Sequence, residues 1–271
     1  MRLRLIVHII PYPLFHLRLS SVVEVDSLFT AFVRAHGGEV VEDLVGKSPS
    51  FLNADYLFRS EGVVAELKRL VDDKSQDAAI RAKLSSLYRG WIERRLVPPA
   101  YGRVRVESRN LPLECQREVM AVFAKPMRQQ ILKANNQIKS TIANLSIPAG
   151  QGLLILVNDG NFALEADAAL YLIGRVLGSR CRSINSVIYL TVNMLSRTPL
   201  TPAPVLVWIH AARPGIVTPI EYRFVDALFD AWRAYLGKAV NQEIELVRLS
   251  DRDVVSEVRL DPGRGDAWPR R

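Results

Sequence analysis

The amino-acid sequence predicts an α/β protein with a central mixed β-sheet flanked by helices. Three observations carry this expectation. Strand-like apolar runs alternate with helix-periodic segments over most of the chain, the order expected when helices are laid over a sheet. Gly152 to Val157 is continuously apolar and bounded by Asn158-Asp159-Gly160, which suits a strand buried on both faces. With 271 residues and 49% apolar composition, the chain has enough hydrophobic surface to cover such a sheet.

The elements follow in order. Met1-Arg2-Leu3-Arg4 and the apolar run Leu5 to Phe15 have the charged and hydrophobic parts of a secretion signal. His8, Pro11 and Pro13 interrupt the run, no small-residue cleavage pattern follows, and it is too short to span a bilayer. Residues 1–23 are therefore expected to form a leading strand or docked arm, on a cytoplasmic chain without a membrane partner. From Asp26 to Ala35, Leu28, Phe29, Phe32 and Val33 recur at helical spacing, and Gly37-Gly38 supplies a C-cap. Three strands are expected next, at Glu39 to Val45, Asn53 to Phe58 and Val63 to Leu70, separated by Gly46, Pro49 and Gly62.

Residues 72–98 are polar and helix-favouring, closed by Pro98-Pro99 and the basic segment Tyr101 to Arg109, so about 72–126 reads as a helical insertion. A long helix is expected from Pro126 to Leu145, with Met127, Ile131, Ile138, Ile142 and Leu145 on its apolar side. After the buried strand come a helix from Ala163 to Leu177, strands at 186–192 and 205–211, a helix at 222–236 and a strand at 243–249. The Gly, Pro and Arg-rich tail 261–271 is expected to be disordered, leaving one domain over 24–260.

A net charge of +8 and a pI near 9.7 favour polyanionic partners. Cys115 and Cys181 lack CxxC spacing and the four histidines are scattered, which argues against a zinc site or a disulfide framework. Both cysteines read as small buried hydrophobes of a reducing compartment.

The chemistry concentrates in Asp55, Glu66 and Lys68. Side chains alternate along a strand, so Glu66 and Lys68 emerge on one face with Val64 and Leu70. A hairpin with a two- or four-residue loop puts Asp55 directly opposite Glu66, whereas a three-residue loop puts it across from Leu67. Adjacent carboxylates repel, and a hard divalent cation that takes oxygen ligands relieves the repulsion. Such a cation polarises a phosphodiester and helps generate hydroxide, while a neighbouring ammonium orients water or offsets developing charge. Gly46-Lys47-Ser48 imitates the end of a P-loop, but Val41 replaces the first glycine that motif requires. Asn158-Asp159-Gly160-Asn161 is composed as a tight turn.

With Asp55 on the second strand and Glu66-Leu67-Lys68 on the third, the order helix, three strands, helix, strand resembles the PD-(D/E)xK nuclease superfamily. The resemblance covers about residues 24 to 160 and implies a restriction-endonuclease-like core with a helical insertion. It implies that Asp55 and Glu66 bind Mg²⁺, or Mn²⁺, and that Lys68 supports the nucleophile. It further points to a first-helix carboxylate at Asp26, with Glu24 next, and to a polar residue of the later helix at Gln137 or Lys133. Asn53-Ala54 stands where the proline of the family name would precede the aspartate.

The segment from Arg81 to Arg109 holds eight Lys or Arg against two Glu, interleaved with Tyr88, Trp91 and Tyr101. Basic residues among aromatics suit phosphate contacts and base stacking, and Arg81, Lys83, Arg89, Arg94, Arg95, Arg103, Arg105 and Lys133 are the candidate contacts. The expected function is Mg²⁺-dependent hydrolysis of nucleic acid, DNA above RNA, with a homodimer left open. The rivals are a catalytically inactive nucleic-acid-binding or regulatory protein on the same fold, and a protein-interaction protein that uses the apolar N-terminal arm.

Overall fold

The computed structural model describes residues 5–11, 24–71, 77–100, 110–161, 166–193, 196–198, 201–213, 215–216, 218–239 and 247–249. Nine strands form one mixed sheet among these residues. They are β1 (Leu5–Pro11), β2 (Glu39–Val40), β3 (Tyr56–Phe58), β4 (Val63–Leu70), β5 (Gln151–Asp159), β6 (Ser186–Val192), β7 (Ser196–Thr198), β8 (Thr201–Ala212) and β9 (Val247–Leu249). Their spatial order is β2-β3-β4-β5-β6-β8-β1-β9, with β7 paired to β8. β4, β5 and β6 run parallel, and the flanking pairs are antiparallel.

Helices cover both faces. α4 (Leu113–Asn144) and α5 (Ala166–Arg180) pack Ile131, Ile138, Ile173 and Leu177 onto Leu57, Val64, Leu154, Leu156 and Tyr189. On the opposite face α1 (Val25–Ala35) and α6 (Tyr222–Ala239) bring Phe29, Phe32, Phe229 and Trp232 to Tyr56, Ala65, Leu67, Ile155 and Ile188. The alternation of β4 and β5 residues between these two clusters is the two-residue strand period expressed as packing. From Gly152 to Val157 β5 carries no polar side chain, because both of its faces are covered. Gly152 permits its close passage beneath residue 183: a Cβ there would lie 1.9 Å from the Ser183 carbonyl oxygen.

The structure differs from the sequence expectation in four places. The expected strand Glu39 to Val45 keeps two strand residues and then turns into α2 (Val41–Val45). There the Val41 N–H donates to the Asp55 carbonyl at 2.9 Å, and Glu42 and Asp43 fall in the first turn, where the helix dipole favours acids. α4 starts thirteen residues before Pro126, because Cys115 and Val122 are buried and extend its apolar side. The insertion is thus α3 (Ala78–Glu93) plus the start of α4. Trp91, Val97 and Cys115 give these two helices a small core of their own. β7 was not expected, and β8 begins at Thr201 despite Pro202 and Pro204; β7 pairs with it through a shifted, irregular register. The tail 261–271 lies outside the described residues.

The β3–β4 turn sets the geometry that follows. Arg59 to Gly62 is a four-residue loop, closed by the Gly62 N–H donating to the Arg59 carbonyl at 3.2 Å, and Gly62 has φ +64°. Tyr56 therefore pairs with Ala65, and one step further Asp55 falls opposite Glu66.

Candidate active site

Asp55, Glu66 and Lys68 converge. Glu66 is fully buried in the middle of β4, and its Oε1 accepts a hydrogen bond from Lys68 Nζ. The same ammonium donates to Gln137 Oε1 on α4 at 3.0 Å. Asp55, half-buried, accepts from the Leu67 N–H at 2.7 Å through Oδ2, which holds its side chain against β4. Lys68 keeps 16% of its side chain exposed, so the group opens to solvent on the lysine side.

The electrostatics are those of a crowded acid pair. Burial pushes the Asp55 carboxyl above its ordinary range, against the pull of the Leu67 N–H and the Lys68 charge. Burial first, and the Asp55 charge second, push Glu66 up to about 8. The Lys68 ammonium opposes this shift, but desolvation of a fully buried carboxylate is the larger effect. Glu66 Oε2 has no hydrogen-bond partner, although the Asp55 carboxyl is its neighbour. Two carboxylates are both acceptors, so their contact becomes a hydrogen bond only when one carries a proton.

Among the described residues no group of three or more His, Cys, Asp or Glu side chains is placed to hold a metal ion. The oxygen donors here are one pair of acids. That set suits a hard cation that keeps several of its own waters, as Mg²⁺ does, and the orphaned buried Oε2 is the atom such a cation would satisfy.

The remaining candidates separate. Asp26 pairs with Arg69, whose Nη1 donates to it at 2.7 Å and to Glu24 at 2.8 Å. Arg69 alternates with Lys68 and so points to the α1 side of the sheet. The field of Asp26 still reaches Asp55 and raises its carboxyl further. Gln137 sits at the site, while Lys133, one turn earlier on α4, is exposed. On α3, Arg81, Lys83 and Arg89 are exposed. Arg94 is engaged with Glu114 at 2.5 Å and Glu118 at 2.7 Å, and Arg95, in the left-handed region, follows it out to solvent. Trp91 is buried and donates to Glu118, and Tyr88 donates to the Pro98 carbonyl, so these two aromatics hold the helical pair together. Arg103 and Arg105 lie outside the described residues.

Two features escaped the sequence. Arg69 also binds Asp159 through Nη2 at 2.6 Å, and Asn193 donates to the other Asp159 oxygen at 2.7 Å. Asn158 and Asp159, expected in a turn, are instead the last two residues of β5. The chain bends at Gly160, the Asn161 N–H donates to Asn158 Oδ1, and Asp159 ties β5 to β4 and α1. Strand alternation alone was a usable signal that Arg69 faces away from Glu66 and Lys68. The second feature, Thr141, accepts a hydrogen bond from the Ala54 N–H at 2.7 Å. No local pattern announces it.

Comparison of the chain with protein-family models, with curated proteins and with solved structures gives no significant match. No helix among the described residues is long and apolar enough to cross a membrane. The protein is an α/β fold whose central mixed sheet is flanked by helices.

Proposed function

We propose that this chain is a divalent-cation-dependent nuclease acting on DNA phosphodiester bonds, built on a restriction-endonuclease-like core. One observation carries the proposal: a fully buried Glu66 and a half-buried Asp55 stand beside Lys68, and Glu66 Oε2 has no hydrogen-bond partner. Once Glu66 is ionised, Lys68 serves only one of its two oxygens, and a bound cation would satisfy the other. The order α1, β2, β3, β4, α4, β5, with α2 set between β2 and β3 and α3 between β4 and α4, supports the core, and the exposed cations of α3 support a polyanionic substrate.

Asp55 and Glu66 would hold Mg²⁺ or Mn²⁺, and the cation would supply polarisation of the scissile phosphate and acidification of a water. Lys68 reaches solvent beside the acids, where its ammonium orients the attacking water and offsets charge on the phosphate. Gln137 fixes the Lys68 ammonium through its carbonyl oxygen. Glu66 must lose its proton before it can serve, so the reaction is expected to strengthen as pH rises toward 8.

The test is incubation of the purified protein with supercoiled, linear and single-stranded DNA in Mg²⁺, Mn²⁺ or chelator, beside Lys68→Ala. Cleavage is expected with either metal, none with chelator, and a loss of about 10²-fold or more in the variant. Equal cleavage by variant and parent defeats the site. Salt-sensitive DNA binding with no metal-dependent cleavage favours an inactive binding protein on the same fold.

A further inference from the structure

We infer that Thr141 is a positioning residue that, together with Gln137, grips a single peptide group and so holds Asp55 opposite Glu66. The inference rests on the acid pair being the working site. The peptide in question joins Asn53 to Ala54, directly before Asp55. Its carbonyl oxygen accepts from Gln137 Nε2 at 2.9 Å, and its N–H donates to Thr141 Oγ1 at 2.7 Å. Both polar atoms of one peptide plane are therefore held by two side chains of α4.

Gln137 and Thr141 are four residues apart, one helical turn, so they lie one above the other on the face of α4 turned to the sheet. Ala54 and Thr141 are both fully buried, with no water to replace a lost partner. The Gln137 amide can serve both neighbours in one orientation only, with its oxygen toward Lys68 and its nitrogen toward Asn53. α4 thus couples the lysine to the segment that carries the aspartate.

The grip is needed because β3 begins only at Tyr56. Asp55 precedes the regular ladder, and its own anchors are its carbonyl on the Val41 N–H and its carboxylate on the Leu67 N–H. A peptide free to tilt at 53–54 would swing the carboxylate away from Leu67 and Glu66. Thr141 fixes that tilt without touching any reacting atom.

The Leu67 amide reports the position of Asp55 directly and needs neither metal nor DNA. Amide hydrogen exchange is followed in the full chain for the parent, Thr141→Val, Thr141→Ser and Gln137→Leu, with the interior amides of β5 as a control for global stability. Valine keeps the shape but leaves the Ala54 N–H unpaired. Leu67 exchange is expected to quicken about tenfold in Thr141→Val and in Gln137→Leu relative to the β5 amides, and to stay near the parent in Thr141→Ser. Parent-like Leu67 protection in either folded variant, or failure of serine to preserve it, overturns the inference. Mn²⁺ titration of the same samples keeps the two readings apart. Tighter Mn²⁺ binding by the parent than by Thr141→Val supports the grip as part of the site. If the parent binds no Mn²⁺, the metal reading falls while the exchange result still decides the role of Thr141.

Discussion

Asp55 binds across the strand pair to the backbone of Leu67, the residue between Glu66 and Lys68. Through this one hydrogen bond, the side chain that precedes β3 is fixed to the strand that carries the other acid and the amine. The consequences of that proximity are measurable.

Glu66 makes stability depend on pH and on divalent cations. Its folded-state value of about 8 lies above the ordinary 4.5, so between these values the folded chain keeps a proton that the unfolded chain has lost. The associated stability is fully present below about pH 4.5 and is lost as pH rises through about 8. A cation that replaces the proton is expected to raise Tm more at pH 8 than at pH 5.5. At about 100 times its Kd it adds ~2.7 kcal/mol, several degrees for a chain of this size. Calorimetry with and without Mg²⁺ at the two pH values measures this, and an equal Mg²⁺ effect at both would speak against Glu66 as a ligand.

Glu66→Gln removes the titrating group and one ligand at nearly constant volume. The metal-free variant is expected to match or exceed the parent in Tm at pH 8, because it carries no buried acid that must ionise. Its Tm is expected to ignore Mg²⁺. Thermal melts in chelator and in Mg²⁺ measure both.

The exposed cations of α3 are expected to bind phosphate without reading sequence. Replacing Arg81, Lys83 and Arg89 together with alanine should weaken DNA binding across all sequences and flatten its salt dependence by about 0.9 in slope for each phosphate no longer neutralised. Their exposure means that Tm should hardly move. Binding titrations at several salt concentrations measure the slope.

Arg69 is expected to matter for folding. Arg69→Met leaves Asp159, whose side chain is 5% exposed, with Asn193 alone, and breaking such a pair costs about 3 kcal/mol. Adding Asp159→Leu should recover much of that loss. Denaturant melts of the single and double variants compare the two.

His210 gives the acid side of the stability profile. It is buried on β8 beneath α6, neither ring nitrogen has a hydrogen-bond partner, and the Tyr222 ring meets it edge-on at 5.6 Å. Burial pulls it down to about 4 from 6.5, so the unfolded chain takes up a proton that the folded one refuses. Stability is present above about pH 6.5 and falls as pH drops toward 4. His210→Leu should lose less Tm between pH 7 and pH 5 than the parent does, which thermal melts across that range check.

The sequence by itself determined the alternation of helices and strands, the buried β5, and the shared face of Glu66 and Lys68. These follow from hydrophobic periodicity, which is local and survives in one dimension. The loop composition around Gly62 also narrowed the hairpin to registers, among which the four-residue loop sets Asp55 against Glu66. Tertiary structure decided the rest, because each remaining feature needs a partner distant in sequence. β2 gives way to α2 after two residues, and the first N–H of that helix is taken by the Asp55 carbonyl. α4 runs through Pro126, and its early turns pack on Trp91 of α3. Asp26 goes to Arg69 on the α1 side of the sheet. The peptide before Asp55 is held by Gln137 and Thr141, more than eighty residues away along the chain. Periodicity says which face a side chain takes, and only the packing of separate elements says what it meets there.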